Sequence, residues 1–318
     1  MPENGSEQLA AAQAALAADP TDAARQVELG MAHFHLEQFH EARAAFERAL
    51  ALDPRSPGAH NGIGRIHYHL GPPEAAAAAY RRAIEIDPGF IPGYWGLGIL
   101  QYSQVGDYEG ARATFQEGLA ANPGAAEFYA GIGHAYAREG LFAEAIEAYE
   151  TCVRADPNDT HSYGMLVILL LHLGRYHEAV AVSQQAIALE PDDPHLRRVL
   201  GFVYDRLGRA EEAVAELERA VQLNPADYEA RGALARLYRD LGRQPEAEQQ
   251  LAEARGLVAQ EDEYAHACFE SVCGNADAAV ALLEVALERG QLTPGWARID
   301  PEFAFLQDDP RYQALLVR

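Results

Sequence analysis

Two histidine pairs, His33-x-His35 and His67-x-His69, stand 34 residues apart, and imidazole is the commonest side-chain metal ligand. Two residues apart is the wrong spacing for shared ligation on a helix, because side chains on one face recur every three or four residues. Only His35 and His69, stacked from neighbouring segments, could converge on an ion, and packing in a core or groove is the better reading of all four. A second combination is Cys268 and Cys273 with His266, a thiol beside a base. Both cysteines fall on one short apolar segment, where small buried Cys is ordinary. Neither GxSxG, GxxxxGK[ST], HExxH nor a paired-cysteine zinc motif occurs, and Gly96-Leu97-Gly98 and Gly131-Ile132-Gly133 read as helix-packing glycines rather than phosphate cradles. No catalytic residue, metal site or cofactor is assigned, and the chain is read as a non-enzyme.

Composition narrows the partners. The chain has 318 residues with 48 acids against 25 bases, every base an arginine, for a net charge of -23. That balance repels nucleic-acid backbones and anionic membrane surfaces. The longest apolar stretch, Met165 to Leu171, is far too short to span a bilayer. Met1-Pro2-Glu3-Asn4-Gly5 lacks the basic and apolar regions of a secretory signal, so a cytoplasmic location is expected. The scattered Cys152, Cys268 and Cys273 fit reduced thiols.

The elements that must position any site follow from a period. Pro20, Pro54, Pro88, Pro123, Pro157, Pro191 and Pro225 each follow an acid or amide and recur every 34 residues, once every 35. Near the middle of each period stands Gly71, Gly106, Gly140, Gly174, Gly208 or Gly242, with Glu37 in that place first. Each unit reads as two helices: Gly ends the first through the left-handed cap conformation, and Pro ends the second. Small residues recur at one place in the first helix (Gly30, Gly64, Gly98, Gly133, Gly201) and one in the second (Ala42, Ala76, Ala111, Ala145, Ala179, Ala213, Ala247). They let paired backbones approach, while Phe46, Tyr80, Phe115 and Tyr149 fill the gap between helices.

This pattern resembles the tetratricopeptide repeat, with seven successive units in phase. The resemblance implies an all-α, right-handed α-solenoid of stacked antiparallel helix pairs. The expected organisation is an N-terminal capping helix within 1–22 and seven units at about 23–56, 57–90, 91–125, 126–159, 160–193, 194–227 and 228–261. A degenerate eighth pair at 262–290 and a C-terminal cap at 291–318 complete it. The closing stretch from Trp296 to Tyr312 is similar to a segment seen after bacterial arrays of this repeat, and it is read as closing the last apolar face.

The resemblance further implies that one stripe of each first helix lines a concave groove for a peptide or another protein's helix. That stripe gives Asn61, Arg65, Tyr68, His69, Trp95, Ile99, Tyr102, His134, Arg138, Ile168, His172, Arg198, Phe202 and Arg236 as candidate protein-binding residues. Read through all seven units, the stripe also holds Arg206 and Arg239, so six arginines stand there with four acids (Glu127, Asp205, Glu229 and Asp240), and it is neutral-to-basic and aromatic-rich on an acidic protein, a makeup suited to interface hot spots. Trp95, Tyr94 and Tyr102 have packing between helices as the competing reading. Asn61 and Arg65 fit one turn of the family's carboxylate clamp, but its lysines are missing. The expected function is a protein-protein interaction scaffold whose partner is a protein or peptide of acidic or aromatic character. The alternative is an obligate structural subunit of a larger or self-associating assembly. Two corollaries are expected: groove histidines that charge below about pH 6.5 make binding pH-sensitive, and replacing Arg65 and Arg198 by Glu leaves the fold intact.

Overall fold

The computed structural model describes residues 2–317, and among these no strand occurs. Helix α1 (Pro2–Ala18) precedes α2 (Ala23–His35), α3 (Phe39–Leu52), α4 (Pro57–Leu70), α5 (Pro73–Ile86), α6 (Ile91–Leu100), α7 (Tyr108–Ala121), α8 (Glu127–Glu139) and α9 (Phe142–Ala155). Then come α10 (Thr160–His172), α11 (Tyr176–Leu189), α12 (Pro194–Arg206), α13 (Ala210–Leu223), α14 (Tyr228–Asp240), α15 (Gln244–Val258), α16 (Glu263–Val272) and α17 (Ala276–Glu288). Two short helices, α18 (Pro294–Ile299) and α19 (Pro310–Leu315), flank a 3-10 turn at Pro301–Leu306. Consecutive helices pack as pairs, α2 on α3, α4 on α5, α10 on α11, α12 on α13, α14 on α15 and α16 on α17. The chain divides into two compact units, one up to Tyr136 and one from Ala137 onward, called unit 1 and unit 2 below.

The helix ends follow from the punctuation residues. Gly106, Gly140, Gly174, Gly208 and Gly242 all hold positive φ, and Glu37 takes the same left-handed place at φ 58°. Gly71 departs from the expected cap: its φ is -124° and ψ -178°. Pro72 follows it, and the proline ring drives the preceding residue into extended backbone. The residue two after the recurrent Pro supplies a cap that the period alone does not reveal. Asp22, Ser56, Asp159, Asp193 and Asp227 each accept a backbone N–H from the first turn of the next helix, satisfying a donor that the helix cannot pair internally.

The small-residue positions act as the spacing suggests. In unit 1, a methyl group on Gly30 or Gly62 would lie 2.5 Å from the Phe46 ring, and one on Gly96 would lie 2.4 Å from Tyr80. Phe46 and Phe115 are fully buried and Tyr80 nearly so. Each ring is thus inserted between backbones that approach only because glycines stand there. The extra residue of the 35-residue spacing is absorbed by a π-helical turn at Gln101–Val105 that ends on Gly106. At the N-terminal end, Leu9, Ala12 and Leu16 of α1 cover Leu29, Ala32 and Ala45. At the other end Ala297, Phe303, Leu306, Tyr312, Leu315 and Leu316 pack on Ala267, Cys268, Ala279, Val280 and Leu283 of the last helix pair.

Candidate functional site

In unit 1 the inner faces of α4 and α6 bound an open groove of about 440 Å³ lined by Asn61, Arg65, Tyr68, His69, Tyr80, Pro92, Trp95, Gly96 and Ile99. Helical spacing places Asn61, Arg65, Tyr68 and His69 on successive turns of α4. The π-helical turn shapes the groove's far end: Gln104 Nε2 donates to the Tyr68 carbonyl at 2.8 Å, and the Ser103 and Tyr68 hydroxyls lie 3.1 Å apart. Tyr102 sits on that turn outside the lining and stacks on His134, with ring centroids 6.3 Å apart. Trp95 does two things, lining the groove while its ring also packs against Phe115 at 5.3 Å. Tyr94 belongs to the packing reading alone: it is 5% exposed and its hydroxyl donates to the Pro88 carbonyl.

The polar groups of this groove are underused. Arg65 lies over the Phe34 ring, with the guanidinium carbon 4.1 Å from the centroid, and touches Met31 Sδ at 3.5 Å. No carboxylate pairs with it among the described residues, and burial lowers its pKa from the ordinary arginine value. Asn61 is 8% exposed and its Oδ1 accepts no hydrogen bond. A buried amide oxygen without a donor costs free energy that a ligand N–H would recover.

Unit 2 treats its inner stripe differently, because residues 293–307 lie across it. Arg138 stacks on Trp296 and its Nη1 donates to Thr293 Oγ1. His172 meets Gln307 Nε2, and Phe202 meets Phe305 edge-on with centroids 5.8 Å apart. Arg236 stacks on the Phe305 ring at 4.6 Å while its Nη2 donates to Asp205 at 2.5 Å. Arg198 carries the densest charge set: Nη1 donates to Asp227 Oδ1 at 3.0 Å and to Glu229, and Nη2 stands 3.2 Å from Glu302 Oε1. Ile168 and Arg198 also line a second cavity of about 440 Å³, whose other wall is Tyr264, Trp296, Asp300, Pro301 and Glu302.

Of the fourteen sequence-derived candidates, one set therefore lines an open groove in unit 1, and Arg138, Ile168, His172, Arg198, Phe202 and Arg236 lie by the C-terminal segment in unit 2. Phe202 is fully buried, and the Arg198 side chain is only 13% exposed. The expectation that Glu could replace Arg198 with the fold intact fails on this geometry. It would place a fourth carboxylate against Asp227, Glu229 and Glu302 in a site shielded from water. The histidine corollary also needs correction at His172, whose pKa is lowered by burial and by the Arg298 charge.

The charge set around Arg198 was not legible as a cluster in the sequence. Burial, reinforced by Glu302, pushes the Asp300 carboxyl well above its usual range, and the Tyr264 hydroxyl donates to Asp300 Oδ2 at 2.5 Å. The Arg198 charge and the Asp300 hydrogen bond outweigh burial at Glu302 and lower its pKa. Behind them, burial raises the Cys268 thiol well above its ordinary value and takes Cys273 to about 12. A thiolate is therefore disfavoured at both cysteines. No three His, Cys, Asp or Glu side chains form a metal-holding group among the described residues, and no helix there is long and apolar enough to cross a membrane.

Comparison with known proteins fits this architecture. PilW, described as a widely conserved type IV pilus biogenesis factor, superposes with TM-score 0.55 at 19% identity, covering 64% of this chain and 93% of its own. Pseudomonas aeruginosa PilF superposes with TM-score 0.54 at 17% identity, covering 70% of this chain and 97% of its own. MamA gives TM-score 0.48 at 25% identity over 52% of this chain and 96% of its own. No curated protein matches the chain. The family model for the tetratricopeptide repeat matches residues 23–56, and the one described as the cilia and flagella-associated protein 70 C-terminal domain matches residues 57–268. With the second match alone spanning more than half of its length, the chain belongs to that family of tetratricopeptide-repeat domains.

Proposed function

We propose that this chain is a non-catalytic interaction scaffold that holds a peptide or helix of a partner protein in the unit 1 groove. The observation that carries the reading is the pairing, in one open groove, of a guanidinium without a carboxylate and a buried amide oxygen without a donor. A partner segment would answer both: an acidic side chain for Arg65 and a backbone N–H for Asn61. Trp95, Tyr68 and Ile99 offer the apolar wall on which an aromatic or aliphatic anchor would be desolvated. On a chain of net charge -23, an arginine without a carboxylate in an apolar groove favours an acid-bearing segment there.

The test is affinity capture from lysate with the tagged full chain beside Arg65→Glu with Trp95→Ala, both checked for unchanged helical circular dichroism. A protein retained by the wild type and lost by the variant supports the groove. Retention of the same proteins by both removes it as the binding face.

A further inference from the structure

Residues 294–307 divide their side chains between two faces. Ala297, Phe303 and Leu306 join the apolar cluster that closes the last helix pair. Trp296, Glu302, Phe305 and Gln307 turn the other way, to Arg138, Arg198, Phe202, Arg236 and His172. A segment needed only to close a solenoid would put apolar side chains on apolar helices. This second face instead sets a buried carboxylate, Glu302 at 5% exposed, on Arg198, while the equally buried Asp300 is held by the Tyr264 hydroxyl of the last helix pair. Desolvating charge adds little stability, and its best-attested use is to specify one arrangement over others.

The seat is also imperfectly filled. An open cleft of about 440 Å³ remains between the segment and α10 and α12, and Nε of Arg198, one of its lining residues, is buried without a hydrogen bond. Aromatic anchors on arginines, a carboxylate on a buried guanidinium and residual space are the marks of a peptide in a recognition groove.

We propose that the inner face of unit 2 is a second peptide-recognition site, held in cis by residues 294–307. A partner segment with the same pattern of Trp, Asp, Glu and Phe, spaced as Trp296, Asp300, Glu302 and Phe305, competes for it. The proposal does not depend on the unit 1 groove. The tether gives the cis segment a high effective concentration, so a competing peptide binds the wild type weakly and gains when the cis contacts are weakened.

The experiment uses the full chain and a fluorescein-labelled peptide spanning residues 293–308, read by anisotropy. Trp296→Ala with Phe305→Ala removes the two cis anchors and leaves Phe303, Leu306 and Tyr312 on the last helix pair. This released protein should bind the peptide at least roughly tenfold more tightly than the wild type. Adding Arg236→Gln, which removes the guanidinium under Phe305, should reverse the gain. Glu302→Gln alone, close in size to the native side chain, should give a smaller gain of the same sign.

Equal affinity for wild-type and released proteins would overturn the proposal, as would a gain that Arg236→Gln leaves untouched. Loss of helical circular dichroism in the released protein, with no gain in Glu302→Gln, would make the segment a structural cap and overturn it equally.

Discussion

Arg65 in unit 1 and Arg198 in unit 2 come from the same inner stripe of the repeat and line pockets of the same volume, and they differ in the charge around them and in what covers them. Arg65 faces an open groove, rests on Phe34 and has no carboxylate. Arg198 is covered by the C-terminal segment and meets Asp227, Glu229 and Glu302. The same scaffold thus leaves one arginine without a carboxylate in an open groove and uses another as the counter-ion of two buried acids, Asp227 and Glu302, and the partly buried Glu229. Stripe position decides which residues line the inner face, and what lies over that face decides whether they are available.

The largest effect is expected from removing the guanidinium that holds the acids of unit 2 together. Arg198→Leu leaves Asp227, Glu229 and Glu302 near one another without a counter-charge, and truncating one side of a buried pair costs about 3–5 kcal/mol. Urea unfolding should show that loss as a lower midpoint at unchanged slope. A midpoint shift below roughly 1 kcal/mol would mean the acids are solvated and unit 2 is as open as unit 1.

Next in size is a pair of glycine substitutions on the two inner faces. Gly96 lines the open groove, and a methyl there would sit 2.4 Å from the Tyr80 ring, whereas at Gly164, on the unit 2 cavity, the nearest atom is Leu196 Cδ2 at 3.9 Å. Gly96→Ala should lose about 1–3 kcal/mol through overpacking. Gly164→Ala should gain up to about 1 kcal/mol, because alanine is the better helix former and space is free. Thermal melts of the two variants moving in the same direction would contradict the packing assigned to one of these faces.

These contrasts also mark where sequence reasoning reached its limit. Period, glycine caps and proline stops were legible because each reports a local backbone need, and Phe46 or Tyr80 could be placed between helices because the repeat fixes their neighbours. Gly71 failed for an equally local reason, the proline that follows it. The groove candidates of unit 1 fall together because they lie on adjacent helices one period apart. Coverage of the unit 2 stripe was out of reach, since Arg138 meets Trp296 and His172 meets Gln307 across more than a hundred residues with no period relating them. Asp300, which accepts from the Glu302 amide as an ordinary turn cap would, gives no sign in sequence that burial will hold its proton.

That proton offers a way to probe unit 2 by pH. A carboxyl whose pKa is raised in the folded state contributes most stability below the unfolded value of 3.8 and loses it as pH climbs toward the folded value. Asp300→Asn keeps an acceptor for the Glu302 amide and removes the titration, so its stability relative to wild type should rise as pH increases above 3.8. His172 works in the other direction: its lowered pKa means that stability is lost as pH falls below 6.5, in both proteins alike. The difference between the two melting curves reports the coupled Asp300 and Glu302 carboxyls together, and a difference independent of pH between 5 and 8, above the Glu302 range, would show that the Asp300 carboxyl is not held in the protonated form.

The smallest expected effect is the one that most directly defends the open groove. Arg65→Gln removes a cation-π contact worth about 0.5–1 kcal/mol and, with it, the cost of keeping an unpaired guanidinium half out of water. The two terms oppose each other, so the free energy of unfolding should change by less than about 0.5 kcal/mol. Under the proposed function the loss of Arg65 is felt on binding and not on folding, which is the outcome a small change in stability would match. A loss comparable to that of Arg198→Leu would place Arg65 among the structural arginines and leave the unit 1 groove without its recognition charge.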